Sequence, residues 1–153
     1  MKQSLFISTF LPIAREAGKG FAIHPAVILA QAAVESGWGQ SVLSSVHNNY
    51  FGITAYGRKN PWWNGTSVRL GENSLLFRTY PDPLAGFTDY CRLIRTAYPR
   101  AADVSHDPNA FARIISQSKY ISEVNGDNRE VYRALLVTIS KKIRQEISSY
   151  VCN

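Results

Sequence analysis

The sequence has few cysteines and few histidines, and neither residue type is spaced for a metal site. Its 153 residues include two cysteines, Cys91 and Cys152, and three histidines, at positions 24, 47 and 106. A disulfide framework needs more cysteines, and a zinc site needs closely spaced ligand pairs. Cys91 lies in an apolar helical pattern, which predicts a buried thiol and leaves open whether it pairs with Cys152. We therefore expect no metal.

The chain also lacks a long hydrophobic run and a readable export signal. The segment Leu5–Ala14 is only moderately apolar, and charged residues follow it without a small-residue cleavage site. The longest stretch without Asp, Glu, Lys or Arg, Ser36–Gly57, is rich in Ser, Asn, Gln and Gly. Neither segment predicts a membrane span. We expect no membrane insertion, and export by a route other than a standard signal peptide.

Charged residues are scarce, at 18% of the chain, whereas aromatic residues reach 12% and apolar residues 45%. This composition excludes intrinsic disorder, collagen and coiled coils. The length predicts one domain over residues 1–153, which we expect to be a monomer. The net charge of +6 fits either an anionic partner or a generic basic surface. Because no nucleic-acid motif is present, nucleic acid is not an expected partner.

Hydrophobic periodicity predicts a mainly α fold of the α+β type, with one small hairpin. A helix over 26–35 is apolar on nearly all sides, so we expect it to be buried, with Gly37 and Gly39 ending it. Residues 48–65 are rich in Asn, Gly and aromatic residues and predict a long loop. Strands over 66–70 and 75–80 are joined by the turn 71–74. The other predicted helices cover residues 3–18, 83–97, 108–118 and 128–147.

The segment 30–39 (AQAAVESGWG) places a carboxylate, Glu35, at the end of the apolar helix. Ionising a carboxylate in apolar surroundings is costly, which predicts a raised pKa for Glu35. A general acid that works near neutral pH needs such a carboxylate, and Gly37 and Gly39 let a ligand approach the backbone closely. An ordinary ion pair with an arginine at a helix end is the alternative, and the spacing alone does not choose between them.

A second carboxylate and a group of aromatic residues follow this segment. Glycosidases commonly use two carboxylates, and Glu72 is the only acidic residue between positions 36 and 81. Taken by itself, the position of Glu72 in a turn favours a solvated residue. Aromatic side chains of the loop either line a sugar groove or cover the core. These aromatic residues are Tyr50, Phe51, Tyr56, Trp62 and Trp63.

Four segments occur in a characteristic order: AQAAVESGWG at 30–39, NNYFGI at 48–53, FRTY at 77–80 and GFTDYCRL at 86–93. Together they resemble glycoside hydrolase family 73, the peptidoglycan N-acetylglucosaminidases that include the flagellar muramidase-like domain. The segment KYIS at 119–122, followed by Tyr132, is similar to the C-terminal tyrosine motif of that family. The resemblance covers roughly residues 5–140 and implies a lysozyme-like helical domain with a small β-hairpin lobe.

The resemblance also implies roles for individual residues. Glu35 occupies the position of the general acid, Glu72 is the candidate for the second acid on the hairpin, and Tyr120 best matches the active-site tyrosine. Two positions depart from the family: Ile121 stands where an alanine usually follows the tyrosine, and Leu70-Gly71 precede Glu72 where threonines are common. The expected substrate-contacting residues are Trp38, Asn49, Tyr50, Phe51, Trp62, Trp63 and Tyr132.

These assignments predict hydrolysis of the β-1,4 bond between N-acetylglucosamine and N-acetylmuramic acid in peptidoglycan, without a cofactor. Two alternatives stay open: a lytic transglycosylase that uses Glu35 alone, and a non-catalytic wall-binding module. The expected place of action is the periplasm or cell wall, reached through a holin or a secretion machine such as the type VI system. The expected partners are peptidoglycan glycan strands and an immunity protein that blocks the groove.

Overall fold

A computed structural model describes residues 2–71, 75–121 and 128–151 of the chain. The helices and strands are α1 (Gln3–Lys19), α2 (Pro25–Ser36), α3 (Val42–Ser45), β1 (Ser67–Leu70), β2 (Leu75–Arg78), α4 (Pro83–Ala97), α5 (Pro99–Asp103), α6 (Pro108–Ser116) and α7 (Arg129–Val151). The predicted fold class, mainly helical with a small antiparallel hairpin, is confirmed. The short helices α3 and α5 were not predicted, because four or five residues are too few to show a helical period.

Helix α2 is the central helix of the protein. All of the residues from Ala26 to Ala33 are buried, and the helix packs against α1 and α7. It begins at a cap in which Nδ1 of His24 accepts a hydrogen bond from the Ala26 N–H at 3.0 Å. It ends at Gly37, whose φ of +59° is a left-handed conformation that favours glycine. The predicted buried helix is therefore confirmed, and its C-terminal end carries Glu35.

An aromatic cluster joins α1, α4 and the loop that follows α3. Phe51 stacks on Tyr90 with ring centroids 3.8 Å apart. Helix α4 approaches this loop so closely that a Cβ atom on Gly86 would lie 2.3 Å from the carbonyl oxygen of Asn48. A side chain at Gly86 would force the helix away from the loop. The other rings of the cluster belong to Phe6, Phe10, Tyr50 and Phe87.

The two strands form an antiparallel hairpin in the register Ser67↔Arg78 to Leu70↔Leu75. A bridge between Thr54 and Phe77 connects the hairpin to the preceding loop. Strand β2 stops before the predicted position 80, because the N–H of Tyr80 donates to the carbonyl of His47 instead of to the partner strand. Residues 72–74 of the turn, which include the predicted second acid Glu72, lie outside the described residues.

The carboxylate of Asp89 joins the hairpin lobe to α4, and we call this arrangement the Asp89 hub. Asp89 is fully buried and accepts hydrogen bonds from Arg78 Nη1 at 2.9 Å, Arg92 Nε at 2.7 Å, Asn60 Nδ2 at 2.8 Å and the Tyr80 hydroxyl. Burial by itself would raise the pKa of Asp89. The hydrogen bonds from Tyr80, Arg92 and Asn60 outweigh burial and hold that pKa below its ordinary value. The hub therefore contains an ionised carboxylate that fixes the hairpin to the helices.

Two further sequence expectations concern the thiols and the membrane. Cys91 is buried in α4, as predicted, and Cys152 lies outside the described residues. Within residues 2–71, 75–121 and 128–151, no helix has both the length and the apolarity needed to cross a bilayer.

Candidate active site

A groove of about 430 Å³ lies where the helical lobe meets the hairpin lobe. Its wall is built from the end of α2, the loop 51–56, β2, α4 and the segment that follows α6. Among the described residues that line it, Glu35 is the one carboxylate. Arg78, Arg92 and Lys119 supply positive charge to the same wall. The described wall therefore combines one carboxylic acid with three positively charged side chains, an arrangement that suits an anionic ligand.

Glu35 is half-buried and is the penultimate residue of α2. Its Oε1 accepts a hydrogen bond from the Tyr132 hydroxyl at 2.9 Å. Its Oε2 faces Gly52, since a Cβ atom built on that glycine would lie 4.0 Å from Oε2. The C-terminal end of a helix carries a partial negative charge, which disfavours an ionised carboxylate. This position suits a proton donor, and the raised pKa expected from the sequence stays a prediction.

Tyr132 reaches Glu35 from α7, and a buried glutamine holds its hydroxyl. Nε2 of Gln31 donates to the Tyr132 hydroxyl at 3.1 Å, and the Tyr90 hydroxyl donates to Oε1 of Gln31. Gln31 and Tyr90 are both completely buried. A line of polar groups thus runs from the core to the carboxylate of Glu35.

Tyr120 lies on the groove wall and ties the segment after α6 to the loop. Its hydroxyl donates to the carbonyl oxygen of Phe51 at 3.1 Å. Burial raises the pKa of Tyr120 well above its ordinary value, and the negative charge of Glu35 adds to this effect. Tyr120 is therefore a neutral hydrogen-bond donor, and it fixes the loop backbone opposite Glu35.

The structure brings some of the predicted site residues together at this groove and leaves others elsewhere. Glu35, Phe51 and Tyr120 line the groove, and Tyr132 contacts Glu35 from behind. Asn49 is buried beneath the loop, where Nδ2 donates to the carbonyl of Ile53 at 3.0 Å. The same Nδ2 also donates to the carbonyl of Arg78 at 2.9 Å. Asn49 thus shapes the groove through the backbone of its wall.

The tryptophans and Tyr50 pack in the fold and are not part of the groove lining. Tyr50 is buried against Phe10, with ring centroids 4.8 Å apart. Trp63 is buried, donates from Nε1 to the carbonyl of Thr66 at 2.8 Å, and lies 3.8 Å beneath the guanidinium of Arg78. Trp38 packs edge-on against Phe6, and Trp62 edge-on against Phe21. Of the two interpretations of the loop aromatics, these contacts favour core cover for Tyr50 and Trp63.

Sequence reasoning gave no role to Gln31, Tyr90, Arg92 or Lys119. Gln31 had a readable signal, because it is the polar residue four positions before Glu35 and so shares its face of the helix. Arg92 and Lys119 meet the groove, and Tyr90 meets Gln31, through tertiary packing, which leaves no local pattern. In the part of the chain that the structure describes, no three His, Cys, Asp or Glu side chains gather to hold a metal ion.

Comparisons with known proteins match most of the chain. A family model described as mannosyl-glycoprotein endo-beta-N-acetylglucosaminidase matches residues 11–145. The peptidoglycan hydrolase FlgJ of Vibrio parahaemolyticus is 29% identical over 133 residues, which are 77% of this chain and 42% of that protein. The chain thus spans less than half the length of this curated relative.

Solved structures agree with this result. The crystal structure of a peptidoglycan hydrolase from Sphingomonas sp. A1 has a TM-score of 0.72 at 27% identity, and the match covers 97% of this chain and 94% of that one. A chain in the structure of a type VI secretion system effector–immunity complex from Pseudomonas protegens has a TM-score of 0.71 over 95% of this chain and 94% of that one. At 18% identity, this second likeness shows a common fold alone. Since the family model covers nearly the whole sequence, including Glu35, Tyr120 and Tyr132, the chain belongs to the glucosaminidase family.

Proposed function

We propose that this protein hydrolyses the β-1,4 bond between N-acetylglucosamine and N-acetylmuramic acid in peptidoglycan, with Glu35 as the general acid. The observation that carries the proposal is the position of Glu35 as the one carboxylate among the described residues of the groove wall. Family membership supports the substrate, as do the peptidoglycan hydrolases named among the relatives.

The groove residues suggest how the bond is broken. Glu35 protonates the glycosidic oxygen as the bond to the sugar lengthens, which is the acid role that glycosidases share. The apolar surfaces of Phe51 and Leu93 limit water around the acid. Arg92 and Lys119 attract the carboxylates of the wall polymer. Tyr120 keeps the loop backbone in place while the sugar binds.

Glu72 is the proposed second acid, which would orient the attacking water or stabilise the positive charge that develops on the sugar. It lies outside the described residues. A mechanism that needs one carboxylate is the second candidate function, since it requires only Glu35, which lies on the groove wall. A lytic transglycosylase would use Glu35 alone and close an anhydro ring on the muramic acid instead of adding water.

Product analysis distinguishes these functions. Purified peptidoglycan is digested with the protein, the fragments are reduced with borohydride, and mass spectrometry identifies the new chain ends. A glucosaminidase gives reduced N-acetylglucosamine ends, a lytic transglycosylase gives anhydro-muramic ends, and a wall-binding module gives no fragments. The variant Glu35→Gln is the control for a contaminating activity. Fragments formed equally by this variant would contradict the proposed role of Glu35.

We also propose that residues 1–153 act as a single domain in the periplasm or cell wall, and that an immunity protein blocks the groove. Tyr56 supports a partner surface, because it lies on the groove wall and is 67% exposed. Tyrosine is a common anchor of protein interfaces. The likeness to a protein solved in an effector–immunity complex adds support.

Expression in a Gram-negative host tests the place of action. Lysis is expected only when a periplasmic signal is added, and it should disappear with Glu35→Gln. Toxicity of the form without a signal would contradict the proposed place of action. Rescue by the product of a neighbouring gene would support the immunity partner and a secretion-machine export route. Absence of rescue would contradict the immunity partner and favour a lysin released through a holin.

A further inference from the structure

A line of three polar side chains, two of them completely buried, ends on the proposed acid. The Tyr90 hydroxyl donates to Oε1 of Gln31, Nε2 of Gln31 donates to the Tyr132 hydroxyl at 3.1 Å, and this hydroxyl donates to Oε1 of Glu35 at 2.9 Å. These groups come from α4, α2 and α7. We refer to Tyr90, Gln31 and Tyr132 as the relay.

The relay is costly unless each of its members is hydrogen-bonded. Gln31 is completely buried in a helix whose other residues from Ala26 to Ala33 are apolar, so an unpaired amide would destabilise the fold. Both ends of the amide have partners, Tyr90 at Oε1 and Tyr132 at Nε2. In this arrangement the amide is paired at both ends within the protein, with Oε1 toward Tyr90 and Nε2 toward Tyr132.

This orientation of the amide sets the direction of the next hydrogen bond. A tyrosine hydroxyl has one proton to donate, and the oxygen of Tyr132 already accepts from Gln31. The Tyr132 proton then points to Oε1 of Glu35, and this oxygen acts as an acceptor. The proton of the neutral acid is left to Oε2, which faces Gly52 on the groove wall.

We propose that Gln31 is a positioning residue that acts through Tyr132 and directs the transferable proton of Glu35 to Oε2, the oxygen on the groove side. The proposal rests on the proposed function, because it takes Glu35 as the acid. The relay ensures that one particular oxygen delivers the proton, and it keeps that oxygen turned toward the glycosidic bond.

Loss of the relay should also change the acidity of Glu35. A hydrogen bond donated to a carboxylate stabilises its ionised form, so its removal raises the pKa of Glu35. Other titratable and charged groups near Glu35 remain in the variants proposed below. Among the described residues of the groove wall, these groups are Tyr56 in the loop, Arg78 on β2, Arg92 on α4, Tyr98 after α4, and Lys119 and Tyr120 after α6.

The test compares Gln31→Met and Tyr132→Phe with the wild-type protein. Methionine has a similar length and no donor, and phenylalanine removes the hydroxyl alone. ¹³C NMR follows the titration of Glu35, identified as the glutamate signal that is missing in Glu35→Gln, and the pH profile of kcat/KM is measured in parallel. Tyr132→Phe should move the Glu35 titration and the alkaline limb of the profile upward by about one pH unit, the shift that fits a lost hydrogen bond to a charged group. Gln31→Met should move both in the same direction by less, because the Tyr132 hydroxyl remains but is no longer held by the amide.

Two combinations separate positioning from a purely structural role. Adding Gln31→Met to Tyr132→Phe should produce no further pH shift, because both changes break the same line. The double variant Tyr90→Phe/Gln31→Met leaves no unpaired Tyr90 hydroxyl in the core. Its melting temperature should therefore be higher than that of Gln31→Met alone, while the pH shift stays the same. The matched control is Tyr80→Phe, which removes a tyrosine donor from Asp89 and should leave the Glu35 titration unchanged.

The outcomes distinguish this proposal from the proposed function. Wild-type titration of Glu35 in Gln31→Met, or pH shifts that add in the double variant, would overturn the relay. If Gln31→Met does not fold, the pH shifts of Tyr132→Phe and of the double variant Tyr90→Phe/Gln31→Met test the relay instead. Full activity of Glu35→Gln would overturn the proposed function, whereas the NMR titration would still report on the hydrogen bonds.

Discussion

Glu35 and Asp89 are two carboxylates at the junction of the lobes, and their surroundings are opposite. Asp89 is fully buried and accepts hydrogen bonds from four side chains, two of which are arginines. Glu35 is half-buried on an open groove and accepts from an uncharged tyrosine hydroxyl. Charged donors strongly favour the ionised form of Asp89, whereas a neutral donor at a helix C-terminus favours ionisation far less.

The comparison shows that burial does not by itself mark a carboxylate as catalytic. Asp89 is the more deeply buried of the two, yet its donors hold its pKa below the ordinary value. A residue in that state cannot give a proton near neutral pH. The carboxylate suited to acid chemistry is Glu35, which lies on the groove wall and accepts from a neutral tyrosine hydroxyl, and the following predictions test this contrast.

The largest expected effect is on activity in Glu35→Gln. Removing a general acid should lower peptidoglycan turnover by about 10²–10⁴-fold, since acid catalysis contributes about this much. The free energy of unfolding should change by less than about 1 kcal/mol, because the residue is half-exposed. Release of reducing ends and urea unfolding measure the two quantities, with Glu16→Gln on the exposed face of α1 as the control. Near-normal turnover in Glu35→Gln would show that Glu35 is not the general acid, and the contrast with Asp89 would fail.

Asp89→Asn should have the reverse profile and destabilise the fold by about 3–5 kcal/mol, because it leaves the buried charge of Arg78 without its partner. Since the pKa of Asp89 is lower in the folded protein, its contribution is present above the unfolded value of about 3.8 and is lost as pH falls through the folded value. Urea unfolding from pH 7 to pH 3 measures both effects. In the control Asp103→Asn, the lost pair with Arg95 is exposed, so stability should hardly change. Equal losses of stability in Asp89→Asn and Asp103→Asn would show that the hub contributes no more to stability than an exposed ion pair.

The two neighbouring tryptophans sharpen the comparison on the hairpin side. Trp63→Ala should cost about 3 kcal/mol, because the ring is buried beneath Arg78 of the hub. Trp62→Ala should cost about 1 kcal/mol, because that ring is half-buried. Thermal unfolding and a peptidoglycan pull-down are measured together. A loss of wall binding in Trp62→Ala without a loss of melting temperature would make Trp62 a sugar contact, as the sequence predicted.

The smallest expected effect concerns His24. It tests whether the pH dependence of stability is separate from the pH dependence of activity at the groove. Burial lowers the pKa of His24 below its ordinary value of 6.5, and the positive charges of Arg144 and His106 act in the same direction. The unfolded chain therefore binds this proton more readily, so the contribution is present above pH 6.5 and is lost as pH falls below it. Protonation also removes the Nδ1 acceptor that caps α2.

His24→Asn keeps a cap without titrating, so between pH 7 and pH 5 it should lose less stability than the wild type. Denaturant unfolding at the two pH values measures the difference, and His47→Asn is the control. Parallel losses in wild type and His24→Asn would assign the acid sensitivity to other groups.

The sequence predicted the elements whose pattern is local. The apolar run from Ala26 to Ala33 identified a buried helix, and the motif around Glu35 identified its carboxylate as the candidate acid. The Asp89 hub was not predicted, because its members are dispersed over residues 60–92 and each looks like an ordinary polar or charged surface residue. The relay was missed for a related reason: Gln31 meets Tyr132 across 101 positions of sequence, and only the packing of α7 on α2 brings them together.

This difference in sequence separation has a consequence for how the protein forms. The Asp89 hub closes within residues 60–92, so it can assemble early from local contacts at a small cost in chain entropy. The Glu35 site needs the 69-residue link from Tyr120 to Phe51 and the 97-residue link from Tyr132 to Glu35. Since α7 is the last of the described helices to leave the ribosome, the hairpin lobe can be complete while the groove still lacks Tyr132. The chemical site therefore depends on contacts of much greater sequence separation than the hub, and its geometry exists only when both ends of the chain are folded together.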